Sequence, residues 1–159
     1  IGVIVLLFYI VSNKKSFELH NDSTLKELTI VSEMSLTIGL LALTVGNFLG
    51  GIWANESWGR YWSWDPKETW AFISIMVYAF VLHMRLVPGL RSRYAYHLAA
   101  MFAFCSMVMT YFGVNYYLSG LHSYAAGDPV PVPIWVYVSL ASMITLGVWA
   151  YIKYKKLHG

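Results

Sequence analysis

The sequence predicts an all-α fold, a polytopic bundle of membrane-spanning helices, and three observations support this prediction. Of the 159 residues, 58% are hydrophobic and only 12% are charged, whereas soluble domains carry about 25% charged residues. Four apolar segments approach or exceed the roughly 20 residues that a helix needs to cross a bilayer. Aromatic residues make up 17% of the chain, which suits aromatic belts at both membrane surfaces. We therefore expect four complete transmembrane helices.

The chain opens on a shorter apolar run, Ile1–Val11, of eleven residues. At 1.5 Å per residue, this run covers roughly half of a hydrocarbon core about 30 Å thick. The run lacks the basic start and the cleavage site of a signal peptide. We therefore expect the end of a truncated helix here, and a chain that is the C-terminal fragment of a longer protein.

Hydrophobic patterns and stop signals set the predicted boundaries within a single membrane domain. Thr24 and Glu27 form a capping-box pattern before the second helix, and Pro133 suits the first position of the fifth. The outer connections are expected at residues 53–69 and 118–132. The predicted helices span residues 1–11, 25–51, 66–86, 94–117 and 133–151.

Lysines and arginines divide unevenly between the two predicted membrane faces. One face carries nine of the eleven, and the other carries only Arg60 and Lys67. Because cytoplasmic loops are enriched in Lys and Arg, the second face is predicted to lie outside, together with His122. The nine are Lys14, Lys15, Lys26, Arg85, Arg91, Arg93, Lys153, Lys155 and Lys156.

The tryptophan-rich segment, residues 58–70, contains four of the seven tryptophans, interleaved with charged residues. The ring faces of Trp58, Trp62 and Trp64 suit a planar ligand, and if the segment is helical, Trp58 and Trp62 share a face. Arg60 and Lys67 suit carboxylates on the rim of such a ligand. The alternative is an aromatic belt that anchors helix ends. The density of rings and charges favours a ligand surface.

Asp65 also has a structural interpretation. Asp65 at the N-cap, Pro66 at the first helical position and Glu68 at the third form a helix start with a capping-box pattern. An exposed helix N-terminus also attracts anionic groups, so the cap does not exclude a binding role.

Residues 53–71 resemble the WWD signature of haem-handling proteins in cytochrome c maturation. They read Trp-Ala-Asn-Glu-Ser-Trp-Gly-Arg-Tyr-Trp-Ser-Trp-Asp-Pro-Lys-Glu-Thr-Trp-Ala. The Asp-Pro-Lys-Glu-Thr part is similar to the CcsA (ResC) branch, system II, more than to the CcmC or CcmF branches. The resemblance covers roughly residues 25–124. It continues through Leu82-His83-Met84-Arg85, Tyr111-Phe112-Gly113-Val114-Asn115-Tyr116 and Gly120-Leu121-His122-Ser123-Tyr124.

The resemblance implies a protein that binds haem b, exports it and presents it outside for covalent attachment to the CxxCH motif of apocytochrome c. It implies a partner, CcsB (ResB), either separate or fused, and a bacterial cytoplasmic membrane rather than a thylakoid membrane. The chain itself has no CxxCH and is therefore not a c-type cytochrome. We expect the chain to contact membrane lipid and not to bind nucleic acid. Whether the chain is part of a synthetase, a haem carrier or a structural subunit stays open.

The resemblance assigns the haem contacts to residues of the tryptophan-rich segment and the axial ligands to two histidines. His122 corresponds to an outer axial ligand, although without the family a loop histidine would be the simpler interpretation. His83 corresponds to a ligand of a second, inner haem site. The implied haem contacts are Trp58, Trp62, Trp64, Asp65, Arg60 and Lys67.

The remaining histidine assignments follow from position. His83 lies 17 residues after Pro66, about 26 Å along a helix, so His83 and an outer His122 are not expected on one iron. Geometry alone allows His83 to pair with His97, but the family gives no support for this pair. The second outer histidine of the family is expected upstream of Ile1, and His20 and His158 are expected in solvent.

Overall fold

The structure, a computed structural model, describes residues 1–12, 22–120 and 131–158, and every regular element in these ranges is helical. Helix α1 is Gly2–Val11, α2 is Asp22–Trp58, and α3 is Pro66–His83, followed by the 3₁₀ turn Met84–Leu86. Helix α4 is Arg93–Tyr117 and contains a π-helical turn at Met109–Gly113. Helix α5 is Ile134–His158.

Four of these helices, α2 to α5, are long and apolar enough to cross a membrane. Helix α1 has only 10 residues. The predicted all-α membrane fold, with four spanning helices after a short apolar one, is therefore confirmed. The chain is a multi-pass membrane protein.

Helix α2 is longer than predicted at both ends. Its first residue is Asp22, so Thr24 lies inside the helix and the capping box predicted at Thr24 is wrong. The Asp22 carboxylate is 2.9 Å from Lys26 Nζ, one turn further along, and this pair supports the earlier start. The other end was predicted at residue 51, but α2 continues to Trp58. It stops where Gly59 adopts a φ of 70°, a conformation that suits glycine after a helix.

Helix α5 also extends beyond its predicted end near residue 151 and reaches His158. The sequence signal for the earlier end was the basic cluster that starts at Lys153. Lysines do not stop a helix, because their long side chains extend towards water while the backbone stays helical. Positive charge at a helix C-terminus also interacts favourably with the helix dipole.

The chain forms two compact units, each described here by itself. The first contains residues 1–35, 81–102 and 132–159, and the second contains residues 36–80 and 103–131. The assignment of the whole chain to a single membrane domain stays a prediction.

In the first unit, α1 packs against α5 around a small apolar core. Tyr94 organises the core, because its hydroxyl donates to the Gly147 carbonyl over 2.8 Å and its ring stacks on Tyr154 at 5.3 Å. Gly2 approaches the α4 backbone closely, since a Cβ there would lie 3.1 Å from the His97 carbonyl oxygen. The buried apolar residues are Val5, Leu6, Tyr9, Leu25, Tyr94, Met101 and Ala150.

Ion pairs join the helix ends in the same unit. Arg93 Nη2 is 2.6 Å from Asp22 Oδ1, which connects the first turns of α4 and α2. Glu33 forms an ion pair with Arg85. Asp22 and Glu33 on α2 are therefore each paired with an arginine.

His97 is a core residue of the first unit. Its side chain is fully buried, and its Nε2 lies 3.0 Å from the Thr29 hydroxyl. Thr29 in turn donates to the Leu25 carbonyl over 2.6 Å. The His97 ring therefore contacts Thr29, while the side chain of His83 is exposed. A His83–His97 pair is not formed.

In the second unit, polar contacts join α3 to α4 at the π-helical turn. The Thr110 hydroxyl lies 3.0 Å from Ser74 Oγ and 3.0 Å from the Trp70 carbonyl oxygen. Thr110 is the second residue of the turn, and Gly113 is its last. A Cβ at Gly113 would overlap the Met109 sulfur, so a larger residue here would require the Met109 side chain to move.

We expect Thr29→Val to lower the free energy of unfolding by about 1–3 kcal/mol, because it leaves a buried ring nitrogen of His97 without its partner. Thr29→Ser keeps the hydroxyl and is the matched control. Thermal unfolding in detergent micelles measures both. Equal stability of the valine and serine variants would contradict this account of His97.

Candidate functional site

The tryptophan-rich segment starts at the end of α2, where two tryptophans pack edge to face. The rings of Trp53 and Trp58 are 5.0 Å apart at 82°. The guanidinium carbon of Arg60 lies 6.0 Å from the centre of the Trp58 ring, at the limit of a cation–π contact. Because α2 ends at Trp58, Trp58 and Trp62 do not share a helical face. The shared face was predicted only for a helical segment, and that condition is not met.

Trp62 is the central ring between α2 and α3. It contacts Trp64 at 5.7 Å and 90°, and Phe72 at 6.3 Å and 81°. Aromatic rings prefer this perpendicular packing because the positive edge of one meets the negative face of another. Trp62 and Trp64 therefore do not lie in one plane, and their contact with a planar ligand stays a prediction. The rings stand at right angles, as the walls of a groove.

Trp64 is the most unusual residue of the segment. Its φ is 60°, in the left-handed region, which costs a non-glycine residue of the order of 1 kcal/mol. Its side chain is nevertheless 71% exposed. A strained backbone that holds a large apolar ring in the open suggests that the ring serves binding rather than packing.

The start of α3 follows the predicted capping pattern. Asp65 Oδ2 accepts the backbone N–H of Lys67 at 3.2 Å, and Glu68 Oε2 accepts the N–H of Asp65 at 3.4 Å. Glu68 also accepts from Ser63, from the N–H at 2.8 Å and from the hydroxyl at 3.1 Å. Pro66 is the first helical residue. The predicted helix start at Asp65, Pro66 and Glu68 is confirmed.

An open groove of about 540 Å³ lies beside these rings. This volume falls in the range of small-molecule sites, roughly 300–1,000 Å³. Gly51 gives the groove its depth, since a Cβ there would lie 3.2 Å from the Tyr61 carbonyl oxygen. The lining is almost entirely apolar and aromatic. It consists of Asn47, Phe48, Gly51, Ile52, Tyr61, Trp62, Trp64 and Phe72.

Sequence reasoning named only Trp62 and Trp64 among these lining residues. It missed the wall that α2 supplies, although Asn47, Phe48 and Gly51 lie within the predicted helix 25–51, because no ligand contact was assigned to that helix. The signal was present in the spacing, since Asn47 and Gly51, like Phe48 and Ile52, are four residues apart and share a helical face. Phe72 lies within the first two turns of α3, close in sequence to the tryptophan-rich segment.

The charged residues predicted to contact a ligand lie in different surroundings. Arg60 is next to Trp58. Lys67 Nζ is 3.4 Å from the side-chain oxygen of Asn115 on α4. Asp65 is only 7% exposed, and its carboxylate caps α3. Arg60 and Lys67 are therefore the cations near the segment, whereas Asp65 has a structural role. Trp58 packs on Trp53 and does not line the groove.

Of the two predicted iron ligands, the structure describes only His83. His122 lies outside the residues that the structure describes. His83 is the last residue of α3 and belongs to the first unit. The groove itself offers flat apolar walls and no nucleophile. Its chemistry is that of binding and orienting a flat, largely apolar molecule.

We expect Glu68→Ala to lower the free energy of unfolding by about 1–2 kcal/mol, because three donors around the start of α3 lose their acceptor. Glu68→Gln keeps a side-chain oxygen at this position and serves as the control. The unfolding temperature in detergent micelles reports the difference. An alanine variant as stable as the glutamine variant would show that this cap contributes nothing.

Comparison with known proteins identifies relatives of the whole groove region. The family described as "Cytochrome C assembly protein" matches residues 1–122. Protein NrfI of Wolinella succinogenes is 58% identical over 110 residues, which are 69% of this chain and 12% of NrfI. The cytochrome c biogenesis protein CcsA of Prochlorococcus marinus is 50% identical over 99 residues, which are 62% of this chain and 32% of CcsA.

A second CcsA, from a Synechococcus species, is 49% identical over 102 residues, which are 64% of this chain and 33% of that protein. The chain thus spans about a third or less of the length of these relatives. The family match covers most of the chain, including α1 to α4 and the tryptophan-rich segment. The chain belongs to the family of cytochrome c assembly proteins.

Proposed function

We propose that this protein takes part in cytochrome c maturation by binding haem in the membrane and presenting it at the aromatic groove for attachment to apocytochrome c. The observation that carries the proposal is the open groove of about 540 Å³ at the tryptophan-rich segment. Family membership supplies the substrate class, since cytochrome c assembly requires haem and an apoprotein. The groove supports a location for that chemistry within the tryptophan-rich segment.

The groove fits the chemistry of haem b. A porphyrin is flat and apolar over its faces. Apart from the amide of Asn47, the side chains that line the groove have only the Tyr61 hydroxyl and the indole N–H groups of Trp62 and Trp64 as polar groups. Trp62 and Trp64 both line the groove, so their rings are available to contact such a ligand. The propionates of haem are carboxylates, for which the guanidinium of Arg60 and the ammonium of Lys67 are matching partners.

The axial ligands of this proposal are His122 at the groove and His83 at a second, inner haem site. Neutral imidazole is a common axial ligand of haem iron. His122 is two residues beyond Gly120 in the chain, and Gly120 is in the same unit as the groove. His83 lies within the candidate membrane span Pro66–Leu86, and an ionisable residue inside such a span is a functional candidate by default, which supports a role for His83.

The orientation proposed for the protein follows from its charges. The first unit contains seven of the described lysines and arginines, and the second contains two, Arg60 and Lys67. By the positive-inside rule, the tryptophan-rich segment, which carries Arg60 and Lys67, then lies on the outer side of a bacterial cytoplasmic membrane in this proposal. The seven are Lys26, Arg85, Arg91, Arg93, Lys153, Lys155 and Lys156.

In the proposed mechanism, haem is held first at His83 with a partner outside this chain, and then at the groove with His122. Each cysteine thiol of a CxxCH motif adds across one haem vinyl group, so that one C–S bond forms and the thiol proton goes to the neighbouring carbon. This chain holds the porphyrin face, orients its vinyl groups and keeps its propionates near cations. The chemistry of thioether formation belongs to the haem and the thiols.

Two alternatives remain beside a synthetase role shared with a CcsB (ResB) subunit. A haem carrier would bind haem at the same groove without supporting attachment. A structural subunit would use the tryptophans only as membrane anchors. The strain at Trp64 and the depth of the groove favour haem binding over anchoring.

We expect Trp64→Ala in the full-length protein to weaken haem binding by about 1.5 kcal/mol, roughly tenfold, because an aromatic wall of the groove is lost. Trp149→Ala is the matched control, since Trp149 on α5 is also exposed, at 54%, and does not line the groove. Haem titration of the purified protein measures both. Equal losses in the two variants would favour the membrane-anchor interpretation.

We expect His122→Ala to remove the outer axial ligand, and added imidazole to restore haem binding by replacing the lost ring. The measurement combines the haem spectrum with covalent haem on a co-expressed CxxCH reporter. Haem binding without any covalent product in the wild-type protein would favour a carrier. An unchanged spectrum and unchanged maturation in His122→Ala would contradict the ligand assignment.

A further inference from the structure

A second groove lies in the first unit, between α4 and α5. Its volume is about 290 Å³, just below the range of small-molecule sites, roughly 300–1,000 Å³, so a narrow apolar chain fits it better than a large ring system. Both helices are long and apolar enough to cross a membrane. The lining residues are Tyr94, Leu98 and Phe102 of α4 and Ile144, Gly147, Val148 and Tyr151 of α5.

The two helices that form this groove are held close together at Gly147. The Tyr94 hydroxyl donates to the Gly147 carbonyl over 2.8 Å. A Cβ at Gly147 would lie 2.7 Å from Leu98 Cδ1, so the Leu98 side chain occupies the space that a larger residue would need. The larger side chains of Val148 and Tyr151 remain exposed. The groove is therefore open at the surface of the unit and lined by apolar groups.

Basic side chains stand at one end of this groove. Tyr94 stacks on Tyr154 at 5.3 Å, so the start of α4 lies beside the end of α5. Arg91 precedes Tyr94 by three residues, and Lys155 follows Tyr151 by four. Lys155 therefore continues the helical face that carries Tyr151, about 6 Å further along the axis. The side chains of Arg91 and Lys155 are both exposed.

Most of the positive charge at this end of the unit is available to a ligand. Arg93, in the first turn of α4, is paired with Asp22 at 2.6 Å. Four other cations form no ion pair among the residues that the structure describes. A negatively charged group can therefore approach them without displacing a described carboxylate. The four are Arg91, Lys153, Lys155 and Lys156.

We propose that the groove between α4 and α5 binds one acyl chain of an anionic phospholipid, whose phosphate interacts with Arg91 and Lys155. Basic pockets between transmembrane helices suit such headgroups, and the apolar groove suits the chain. A second copy of this protein fits less well, because copies in one membrane share an orientation and would bring like charges together. The site shares no residue with the aromatic groove, and the inference does not depend on the proposed function.

The test compares two lipids with the same acyl chains, dioleoyl phosphatidylglycerol and dioleoyl phosphatidylcholine, added to the full-length protein in detergent micelles. Native mass spectrometry measures how much of each lipid is retained. We expect phosphatidylglycerol to bind about tenfold more tightly, because its net negative charge meets the cations. It should also raise the unfolding temperature, as a ligand of the folded state does. Equal binding of the two lipids would contradict a site for an anionic headgroup.

Lys155→Gln tests the headgroup contact. We expect it to weaken phosphatidylglycerol binding about fivefold, as the loss of one cation near an anionic lipid does, and to leave phosphatidylcholine binding unchanged. Lys26→Gln is the matched control, since it removes the same charge from a lysine that is paired with Asp22 and does not line the groove. Equal losses in the two variants would show that the lipid responds to total charge and not to this site.

Val148→Trp tests the acyl-chain contact by filling the groove. Val148 is exposed, so we expect the variant to unfold at the wild-type temperature in phosphatidylcholine but to bind phosphatidylglycerol about tenfold more weakly. Val138→Trp is the control, because Val138 is also exposed on α5 and does not line the groove.

Two further outcomes would overturn the inference. If Val148→Trp binds phosphatidylglycerol like the wild type, the acyl chain lies elsewhere. A wild-type protein that retains no phosphatidylglycerol, or a dimer that Val148→Trp dissociates, would show that protein and not lipid covers the groove.

Discussion

The side chain of Glu68 holds together the part of the molecule on which the groove depends. One of its carboxylate oxygens accepts from the N–H and hydroxyl of Ser63 and from the N–H of Asp65. These donors belong to the non-helical chain before α3, so a single acceptor fixes the direction in which that chain enters the helix. Trp62 and Trp64 flank Ser63 in the sequence. Their rings are therefore held relative to Phe72 by backbone contacts as well as by ring packing.

The second wall of the groove depends on α2 continuing past its pair of glycines, Gly50 and Gly51. In soluble helices such glycines destabilise the interior by about 1 kcal/mol each relative to alanine. In a membrane, unpaired backbone groups cost more than this, so the helix continues until Gly59. Gly51 then contributes space, because the Tyr61 backbone passes close to it. Glycine thus leaves space for the groove at position 51 and ends α2 at position 59.

Much of the fold was predictable because hydrophobic length and capping patterns are local properties. The spanning helices, the start of α3 at Pro66 and the outline of α4 all followed from such signals. The errors lay where a local signal was ambiguous: glycines and lysines were taken as helix ends at Gly51 and Lys153, although a membrane helix tolerates both.

The site was harder to predict than the fold, because ring geometry and long-range contacts leave little trace in the sequence. Tryptophan density indicated a binding surface, but the perpendicular packing of Trp62 and Trp64 required coordinates. The contact of Gly120 with Asp65 joins residues 55 positions apart, and no local sequence pattern predicts it. The haem contacts and iron ligands themselves stay predictions, carried by the family and the shape of the groove.

The π-helical turn at Met109–Gly113 lets α4 contain one residue more than a regular helix would over the same turns. The surplus residue is taken up within the wide turn, because its hydrogen bonds close over one residue more than in an α-helix. Removing one residue at this turn would therefore restore a regular α-helix and leave Asn115 facing Lys67. Removing one residue from the regular part of α4 before Asn115 would instead rotate everything beyond it by about 100°. A one-residue alignment gap is thus expected to be tolerated at this turn and not in the rest of the helix.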